Sequence, residues 1–589
     1  MSEVSVPSTP AAKPPRTEPR QAEPRQTEPA PAALDHAIAE LTAAAASWCA
    51  TSVTERRALL HDLARTVLDA APAWVEAASA AKGIPADHKL QGEEWGTGIF
   101  PIVRNLTLLA ETLGAIEETG RPQPPKVRTE GARTVVDVSP ADALDRLLHA
   151  GVSAEVWLKP GVSQDQALER MGRSYRPDHE RTPGVALVLG AGNLSSIGAM
   201  DALSQLFVED RVVLLKLNPV NAYLAPHLSA ALAPLVQRGW LRIVPGGSEV
   251  GRYLTEHDGF DAIHITGAAA THDAIVFGTG PEGAERKRRG EPRIDTPITS
   301  ELGNVSPYII VPGPWSDRDL AYHGDAIASS MVVNAGFNCV TPRVIVQHRS
   351  WAKRRDLLDA VRDSLSRATP RVPYYPGALE RHAAFVAAHP QAERFGPEGE
   401  GELPFTLIPD LDPHAEDDIA FTTEAFCGLM TEVALDVDRS VPDYLAEAVR
   451  FANDQLMGNL SATIVVHPRS LADPEVARAV DRAVEELRCG TVGVNLWAGL
   501  SYVLVAPPWG AYPGNPLEDI QSGRGVVHNT FLLADVEKTV LRGPFRAPIT
   551  PGWFHTLGRP REVFRLAAEL AASWDARTAA RLVYHFLRG

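Results

Sequence analysis

The sequence predicts an α/β protein with at least two domains, and three observations lead to this conclusion. The chain has 589 residues, which is too long for one hydrophobic core. Short apolar runs alternate with helix-like segments between residues 184 and 265, as in a parallel sheet covered by helices on both faces. A second alternating region extends from about residue 299 to 510. We therefore expect one α/β domain for a nucleotide and a second for the chemistry.

Composition restricts the class of protein. Hydrophobic residues make up 44% and charged residues 22% of the chain, which is ordinary for a globular protein. The net charge of −16 argues against nucleic acid or an anionic membrane as the main partner. The N-terminus lacks the apolar core of a signal peptide. We expect no apolar run to reach the length of a membrane span. These features predict a cytoplasmic protein without a membrane or nucleic-acid partner.

Cysteine usage points to a reducing compartment. The four cysteines are scattered and form no CxxC pair, so neither a metal cluster nor a disulfide framework is expected. They are Cys49, Cys339, Cys427 and Cys489.

The chain divides into five segments. Residues 1–34 are proline-rich and repetitive and are expected to be disordered. Residues 35–298 hold N-terminal helices, introduced by a capping box at Ser52 and Glu55, and then the nucleotide domain. Residues 299–512 form the second domain, 513–544 return to the first, and 545–589 form a helical extension.

Eight apolar runs are the expected strands of the two sheets. In the nucleotide domain they are 185–190, 212–217, 241–244 and 261–265; in the second domain they are 307–311, 343–347, 462–466 and 491–495. Ligands of such sheets bind at the carboxyl ends of the strands.

Four segments in chain order carry a resemblance to a known family. They read LGAGN (189–193), VVLLK (212–216), ELGNVSP (301–307) and FNCVTPR (337–343). Their order and spacing are similar to those of the aldehyde dehydrogenase superfamily, and the resemblance spans roughly residues 35–545. It implies an aldehyde dehydrogenase-like fold: a Rossmann-type nucleotide domain, an α/β catalytic domain and a small oligomerisation β-element. Strands in 125–160 and 530–542 would then pair with another subunit of a homodimer or homotetramer.

The resemblance assigns three catalytic roles. Cys339 is the expected nucleophile, which forms a thiohemiacetal and then a thioester with an aldehyde. Asn193 would donate its side-chain amide to the oxyanion. Glu301 would be the general base for the water that releases the carboxylic acid. Asn304 and Val305 depart from the family pattern directly after Glu301.

The cofactor expected from the resemblance is NAD or NADP. Lys216 and Glu424 would bind the two riboses, and Ala191, Asn218 and Gly267 would lie beside the cofactor. Two departures leave the choice between NAD and NADP open. A ribose-binding glutamate is replaced by Pro219, and an insert after Gly267 carries the basic run RKRR (286–289). That run is expected to be a solvated loop or to reach an anionic group.

Two other functions remain alternatives. A CoA-acylating aldehyde dehydrogenase would share Cys339 but usually lacks a glutamate at the position of Glu301. A non-catalytic scaffold protein would not need Asn193, Glu301, Cys339 and Glu424 together. The aldehyde itself, and the purpose of both terminal extensions, are not determined by these motifs.

Overall fold

The computed structural model describes residues 28–399, 401–437 and 440–588. Most of the predicted disordered segment, residues 1–27, therefore lies outside the described residues. Its last residues do not fit the prediction, because the first helix begins at Pro31. A proline is well suited to that position, since its missing N–H would have no partner within the helix.

The described residues form nineteen strands. They are β1 (Lys126–Glu130), β2 (Arg133–Ser139), β3 (Ser153–Leu158), β4 (Val185–Leu189), β5 (Val212–Lys216), β6 (Leu241–Val244), β7 (Ala262–Thr266), β8 (Ile298–Glu301), β9 (Ser306–Ile310), β10 (Pro342–His348), β11 (Glu393–Phe395), β12 (Phe405–Leu411), β13 (Leu429–Leu435), β14 (Ser461–Val465), β15 (Thr491–Val494), β16 (Trp509–Gly510), β17 (Gly523–Arg524), β18 (Val526–Val527) and β19 (Val536–Arg542).

They also form twenty-two α-helices. These are α1 (Pro31–Ala50), α2 (Val53–Ala81), α3 (Gln91–Glu93), α4 (Phe100–Thr119), α5 (Ala143–Leu148), α6 (Gln164–Arg170), α7 (Ile197–Phe207), α8 (Ala225–Ala231), α9 (Ala233–Gln237), α10 (Ser248–Thr255), α11 (Ala269–Val276), α12 (Gly280–Arg289), α13 (Asp317–Val332), α14 (Arg354–Ser366), α15 (Ala378–Ala388), α16 (Ile419–Thr422), α17 (Val441–Asp454), α18 (Pro468–Leu471), α19 (Pro474–Glu486), α20 (Leu500–Leu504), α21 (Pro560–Ala572) and α22 (Ala576–Leu587). A π-helix (Glu94–Ile99) joins α3 to α4, and short 3-10 helices occur at Arg173–Tyr175, Pro219–Leu224, Val333–Gly336 and Leu517–Asp519.

The first sheet has the strand order β17-β8-β7-β4-β5-β6. Its strands are parallel except for β17, which pairs antiparallel with β8. β4, β5 and β7 are buried along their whole length, which is why they appear in the sequence as continuous apolar runs. Leu189 lies opposite Lys216, so the ends of β4 and β5 meet at one edge of the sheet.

The second sheet has eleven strands in the order β1-β2-β3-β19-β15-β14-β9-β10-β13-β12-β11. Its parallel centre contains the four runs expected in the catalytic domain. The expected oligomerisation strands lie in this sheet, and their pairing with another subunit stays a prediction. β19 pairs with β15 of the same chain, and β3 pairs with β19, so these strands extend the chain's own sheet.

The helical predictions are largely matched by the structure. The capping box is present: the Ser52 side chain accepts from the Glu55 N–H, and the Glu55 carboxylate accepts from the Ser52 N–H. The basic run 286–289 is not a loop but the last turn of α12, where arginines form ion pairs with Glu282 and Glu285. Cations at a helix C-terminus are favoured by the helix dipole.

One apolar helical stretch was missed by the sequence analysis. Gln91–Thr119 has the length and composition of a membrane span, the only such helix in the described part of the chain. In the fold it is a core helix, because 89% of its apolar window is buried against the rest of the protein. It packs between α2 and α21.

Candidate active site

Cys339 lies on a turn between α13 and β10, after a short 3-10 helix. Arg343, four residues later, is buried and holds this turn in place. One guanidinium nitrogen donates to the carbonyls of Cys427 (2.5 Å) and Leu429 (3.1 Å). The other donates to the Gly336 carbonyl at 2.9 Å. Because the arginine satisfies carbonyls from two separate segments, it fixes the nucleophile turn against the start of β13.

Asn193 follows β4 and contacts the same turn from the other domain. Its side-chain amide donates to the Phe337 carbonyl at 2.9 Å, two residues before Cys339. Its own carbonyl accepts from the Asn334 amide (3.0 Å) and from the Tyr374 hydroxyl (2.9 Å). A carboxamide has two N–H groups, so one of them is left for a further acceptor. The structure thus brings Asn193 to the nucleophile turn.

Glu301 is the last residue of β8, and its side chain is buried. Its Oε1 atom has no hydrogen-bond partner among the described residues. Burial raises the pKa of the Glu301 carboxyl to about 8, while the neighbouring Cys339 thiol and Trp509 indole act in the opposite direction. Near neutral pH the carboxyl therefore exists in both forms, as a group that both accepts and returns a proton requires.

Burial also raises the pKa of the Cys339 thiol, and the charges of Glu301 and Glu424 act in the same direction. The thiol at rest is therefore protonated and needs a base to become a nucleophile. The Glu301 carboxylate is suited to this, because it lines the same cavity and influences the pKa of the thiol.

The departures after Glu301 are accommodated by packing. The Asn304 amide donates to the Ser306 hydroxyl (2.9 Å) and to the Ser461 carbonyl (3.1 Å). Val305 is fully buried in the core of the catalytic domain. Both substitutions therefore leave Glu301 at the end of its strand and do not displace it.

A cavity of about 190 Å³ opens above these three side chains. Asn193, Glu301 and Cys339 all line it. Trp497 closes one side, and its indole N–H donates to the Val340 carbonyl at 3.0 Å. The apolar walls leave the Cys339 side chain half-buried, and the lower dielectric constant around it strengthens the electrostatic interactions inside the cavity.

Two of the expected cofactor residues carry polar groups without a full set of partners. Glu424 is half-buried and packs against Gly303, where an added Cβ atom would lie 2.2 Å from the Glu424 Oε2 atom. Its Oε1 atom has no partner among the described residues, and burial raises the pKa of the Glu424 carboxyl to about 7. Lys216 ends β5, and desolvation lowers the pKa of its amine to about 8. A ribose hydroxyl would satisfy either group, so the residues present fit a dinucleotide.

The remaining cofactor residues lie at the same edge of the nucleotide sheet. Ala191 is buried in the loop after β4, and its carbonyl accepts from the Asn221 amide at 3.2 Å. Asn218 caps the 3-10 helix that begins at Pro219, because its Oδ1 atom accepts from the Val220 N–H at 3.0 Å. Gly267 is exposed ahead of α11, and its N–H donates to the Glu301 carbonyl at 3.0 Å.

Glu28 is an acidic residue at the nucleotide domain that the motifs did not indicate. Its Oε1 atom accepts from the Gly247 N–H at 2.8 Å, directly before α10. Its charge opposes the fall in the pKa of Lys216, so the two side chains are near each other. A carboxylate from the N-terminal segment thus lies beside the expected ribose site, where Pro219 offers none.

A buried ion pair behind Asn193 was also missed by the sequence analysis. Lys82 and Glu94 lie 2.6 Å apart, with side chains 2% and 1% exposed. Lys82 also donates to the Asn334 carboxamide at 2.9 Å, and Ser195 donates to Glu94 at 3.1 Å. Glu94 begins the π-helix, a feature that is frequent at functional sites. The signal in the sequence was weak, since both charges lie in segments that read only as helix.

No group of three or more histidine, cysteine or acidic residues in the described ranges is arranged to hold a metal ion. The four cysteines are free. The fold and the site thus define an α/β protein with two sheets, in which a half-buried thiol, a carboxyl and an amide line one cavity.

Comparison with known proteins agrees with this class. Residues 180–374 match the model of the aldehyde dehydrogenase family. The aldehyde dehydrogenase LUC3 of a Fusarium species is 28% identical over 153 residues, which are 26% of this chain and 28% of that protein. The N-succinylglutamate 5-semialdehyde dehydrogenase of Sphingopyxis alaskensis is 25% identical over 277 residues, or 45% of this chain and 50% of that protein. The matches thus span half or less of these curated relatives.

Solved structures share the fold over a larger part of the chain. A Mycobacterium tuberculosis aldehyde dehydrogenase complexed with NAD+ superposes with a TM-score of 0.58 at 20% identity, covering 87% of this chain and 90% of that one. An NADP-dependent glyceraldehyde-3-phosphate dehydrogenase from Bacillus halodurans, complexed with NADP, has a TM-score of 0.58 at 17% identity, with coverage of 87% and 91%. The family match thus covers residues 180–374, and the solved structures show that the chain has an aldehyde dehydrogenase-like fold.

Proposed function

We propose that this protein oxidises an aldehyde to a carboxylic acid with NAD+ or NADP+. The observation that carries the proposal is the convergence of Cys339, Glu301 and Asn193 in the lining of one largely apolar cavity. These residues come from the two domains and from three separate parts of the sequence. The family match over residues 180–374 supports the same function.

The first half of the reaction makes a covalent intermediate. Glu301 accepts the proton of the Cys339 thiol, and the thiolate attacks the carbonyl carbon of the aldehyde. The free N–H of the Asn193 amide donates to the resulting oxyanion, a type of interaction worth about 2.7–4 kcal/mol per donor in measured cases. When bound, NAD(P)+ supplies the hydride acceptor that converts the thiohemiacetal into a thioester. Glu424 and Lys216 would hold that cofactor through its riboses.

The second half of the reaction releases the acid. Glu301 first releases the thiol proton to solvent; it then accepts a proton from water, and the resulting hydroxide adds to the thioester carbon. The carbon–sulfur bond then breaks, the acid leaves, and a proton returns to the Cys339 sulfur. The pKa of about 8 suits Glu301 for both steps, because the group gains and loses its proton near neutral pH.

A product assay tests this assignment against the CoA-acylating alternative. The protein is incubated with an aldehyde and NAD+ or NADP+, with and without coenzyme A, and the products are separated by chromatography. We expect free acid in both reactions. Formation of acyl-CoA, with no free acid when coenzyme A is omitted, would show that coenzyme A is the acceptor.

The oligomeric state remains a prediction. A homodimer or homotetramer was expected from the resemblance, but β19 fills the edge of β15 within one chain. Assembly therefore uses another surface or exchanges these strands between copies, which would preserve the same contacts. Light scattering at micromolar concentration should give the mass of two or four chains; the mass of one chain would contradict the prediction.

A further inference from the structure

The segment after β19 crosses the mouth of the active-site cavity and is bonded to the catalytic domain. The His555 N–H donates to the Ser329 hydroxyl at 3.1 Å, and the His555 ring lies 2.9 Å from the Ser364 hydroxyl. Further up the chain, the Ala547 N–H donates to the Tyr322 hydroxyl at 3.0 Å. These bonds tie residues 545–559 to α13 and α14.

The far end of the extension is seated on the N-terminal helices. α21 packs against α3, α4 and the π-helix. Two glycines make this approach possible: a Cβ atom on Gly92 would lie 2.6 Å from the Pro560 backbone, and one on Gly96 would lie 2.9 Å from the Phe564 ring. Such close contact requires glycine at both positions. The C-terminal extension therefore packs at a specific place on the N-terminal helices and links the two domains.

The extension contributes four aromatic side chains to the cavity lining, and we call them the roof. They are Trp553, Phe554, Phe564 and Phe586. Trp553 packs in the same apolar cluster as Cys339, and its ring centroid is 6.4 Å from that of Trp497. The roof residue Trp553 and the wall residue Trp497 therefore belong to the same apolar cluster as the nucleophile Cys339.

The lining carries one lysine or arginine, and it is exposed. Among the described residues around the cavity this cation is Lys89, whose amine also donates to the His555 carbonyl at 3.2 Å. Burial lowers the pKa of His149 to about 4 and that of His323 to about 3, so both rings are neutral at pH 7. A carboxylate or phosphate that entered the apolar part of the cavity would be desolvated without a buried counter-charge, which is costly.

One polar group of the roof has no partner. The indole N–H of Trp553 is shielded from solvent and donates to none of the described residues. A single neutral acceptor on a bound molecule would satisfy it.

We propose that the cavity accepts a neutral, predominantly apolar aldehyde, and that the C-terminal extension is the element that selects it. The cavity volume of about 190 Å³ indicates the size of the aldehyde. An apolar cavity of about 150 Å³ in another protein binds benzene. A one-ring aromatic aldehyde or a medium-length alkyl aldehyde is therefore of suitable size. This inference rests on the proposed aldehyde oxidation and names its substrate class.

A series of aldehydes tests the substrate class in the full-length protein. We expect kcat/KM to rise about fourfold per methylene from propanal to octanal, the factor for burying one methylene group. Phenylacetaldehyde should be used at least 100-fold better than succinate semialdehyde or glyceraldehyde 3-phosphate. A flat series, or a preference for the charged aldehydes, would overturn the proposal.

Variants of the extension test the role of the roof. Trp553→Ala should lower kcat/KM for phenylacetaldehyde at least tenfold and that for propanal less than threefold, because propanal does not reach the roof. If Trp553→Ala does not fold, Phe586→Ala in the last helix serves as the second variant. It should show the same pattern with a smaller effect. Trp574→Ala is the matched control, since Trp574 is 52% exposed and does not line the cavity. Equal losses for both aldehydes would contradict the selective role.

A binding measurement separates this proposal from the proposed function. 2-Phenylethanol lacks a carbonyl group and cannot be oxidised through Cys339, but it should slow alkylation of Cys339 by iodoacetamide, measured by mass spectrometry at pH 9. Protection without oxidation of any aldehyde would refute the proposed function and support the apolar site. Oxidation of propanal without protection by 2-phenylethanol would support the function and overturn the apolar site.

Discussion

Replacing Glu301 by glutamine should separate the two halves of the reaction. The substitution keeps the shape of the side chain at the end of β8 but removes the group that accepts a proton. Cofactor reduction precedes release of the acid, so the first turnover should still occur if another base, such as hydroxide at pH 9, ionises Cys339. The thioester would then accumulate, because water alone attacks it slowly. General-base catalysis contributes about 10²–10⁴-fold, and we expect a loss of that order in steady-state turnover.

The pKa of Glu301 sets the expected pH dependence. With a pKa of about 8, the carboxyl is ionised in about one molecule in ten at pH 7 and in about nine in ten at pH 9. The active form is the ionised one, so turnover limited by acid release should rise about tenfold between these pH values. In Glu301→Gln this rise should disappear.

Rapid-mixing absorbance of the reduced cofactor measures both effects. At pH 9 we expect a burst of one equivalent per Cys339, followed by a stalled steady state, in Glu301→Gln. Glu518→Gln is the matched control, because Glu518 is exposed at the surface and should behave like the wild type. Steady-state turnover within twofold of the wild type, or a wild-type profile that is flat from pH 7 to 9, would refute the role of Glu301.

Three further predictions concern other parts of the site. Cys339→Ala should reduce aldehyde oxidation at least 10³-fold, while cofactor binding measured by calorimetry stays within threefold. Cys49→Ala is the control and should leave both unchanged. Substantial turnover by Cys339→Ala would exclude Cys339 as the nucleophile. Asn334→Ala removes a carboxamide that contacts the Asn193 carbonyl, and it places alanine at a φ of 53°. We expect the free energy of unfolding to fall by about 2–4 kcal/mol, and kcat to fall with the cofactor KM unchanged. An unaltered urea midpoint would contradict this. Glu28→Gln removes a carboxylate beside Lys216 and should improve NADP+ binding relative to NAD+ at least fivefold, measured by competition; an unchanged ratio would place Glu28 outside the ribose site.

The strands of both domains could be predicted from the sequence because of how parallel sheets are buried. β4, β5 and β9 are covered on both faces, so each appears as an apolar run and was placed within a residue or two of its bounds. The capping box at Ser52 is likewise a local pattern with a local cause. The π-helix at Glu94–Ile99 could not be predicted, since nothing in its composition distinguishes it from an ordinary helical turn.

Strand partners were harder to predict than strands. The segment ARTVVDV (132–138) has an alternating pattern that indicates a strand, but the same alternation suits the edge of any sheet. The resemblance suggested a partner subunit, whereas the structure places β3 and β19 on the chain's own sheet. Edge pairing depends on where the connecting segments bring a strand, and that is a property of the whole fold.

The sequence by itself determined the α/β class, the approximate strands and, through four motifs, the candidate residues Cys339, Glu301 and Asn193. These are features whose cause lies within a few neighbouring residues, or in motifs whose order survives along the chain. The tertiary structure alone decided what surrounds them. Lys82, which pairs with Glu94, donates to Asn334, 252 residues later, and Trp553 packs in the same cluster as Cys339, although more than 200 residues separate them. Burial that raises the pKa of Glu301 to about 8 arises from the same long-range packing, because desolvation depends on every segment that excludes water from the carboxyl.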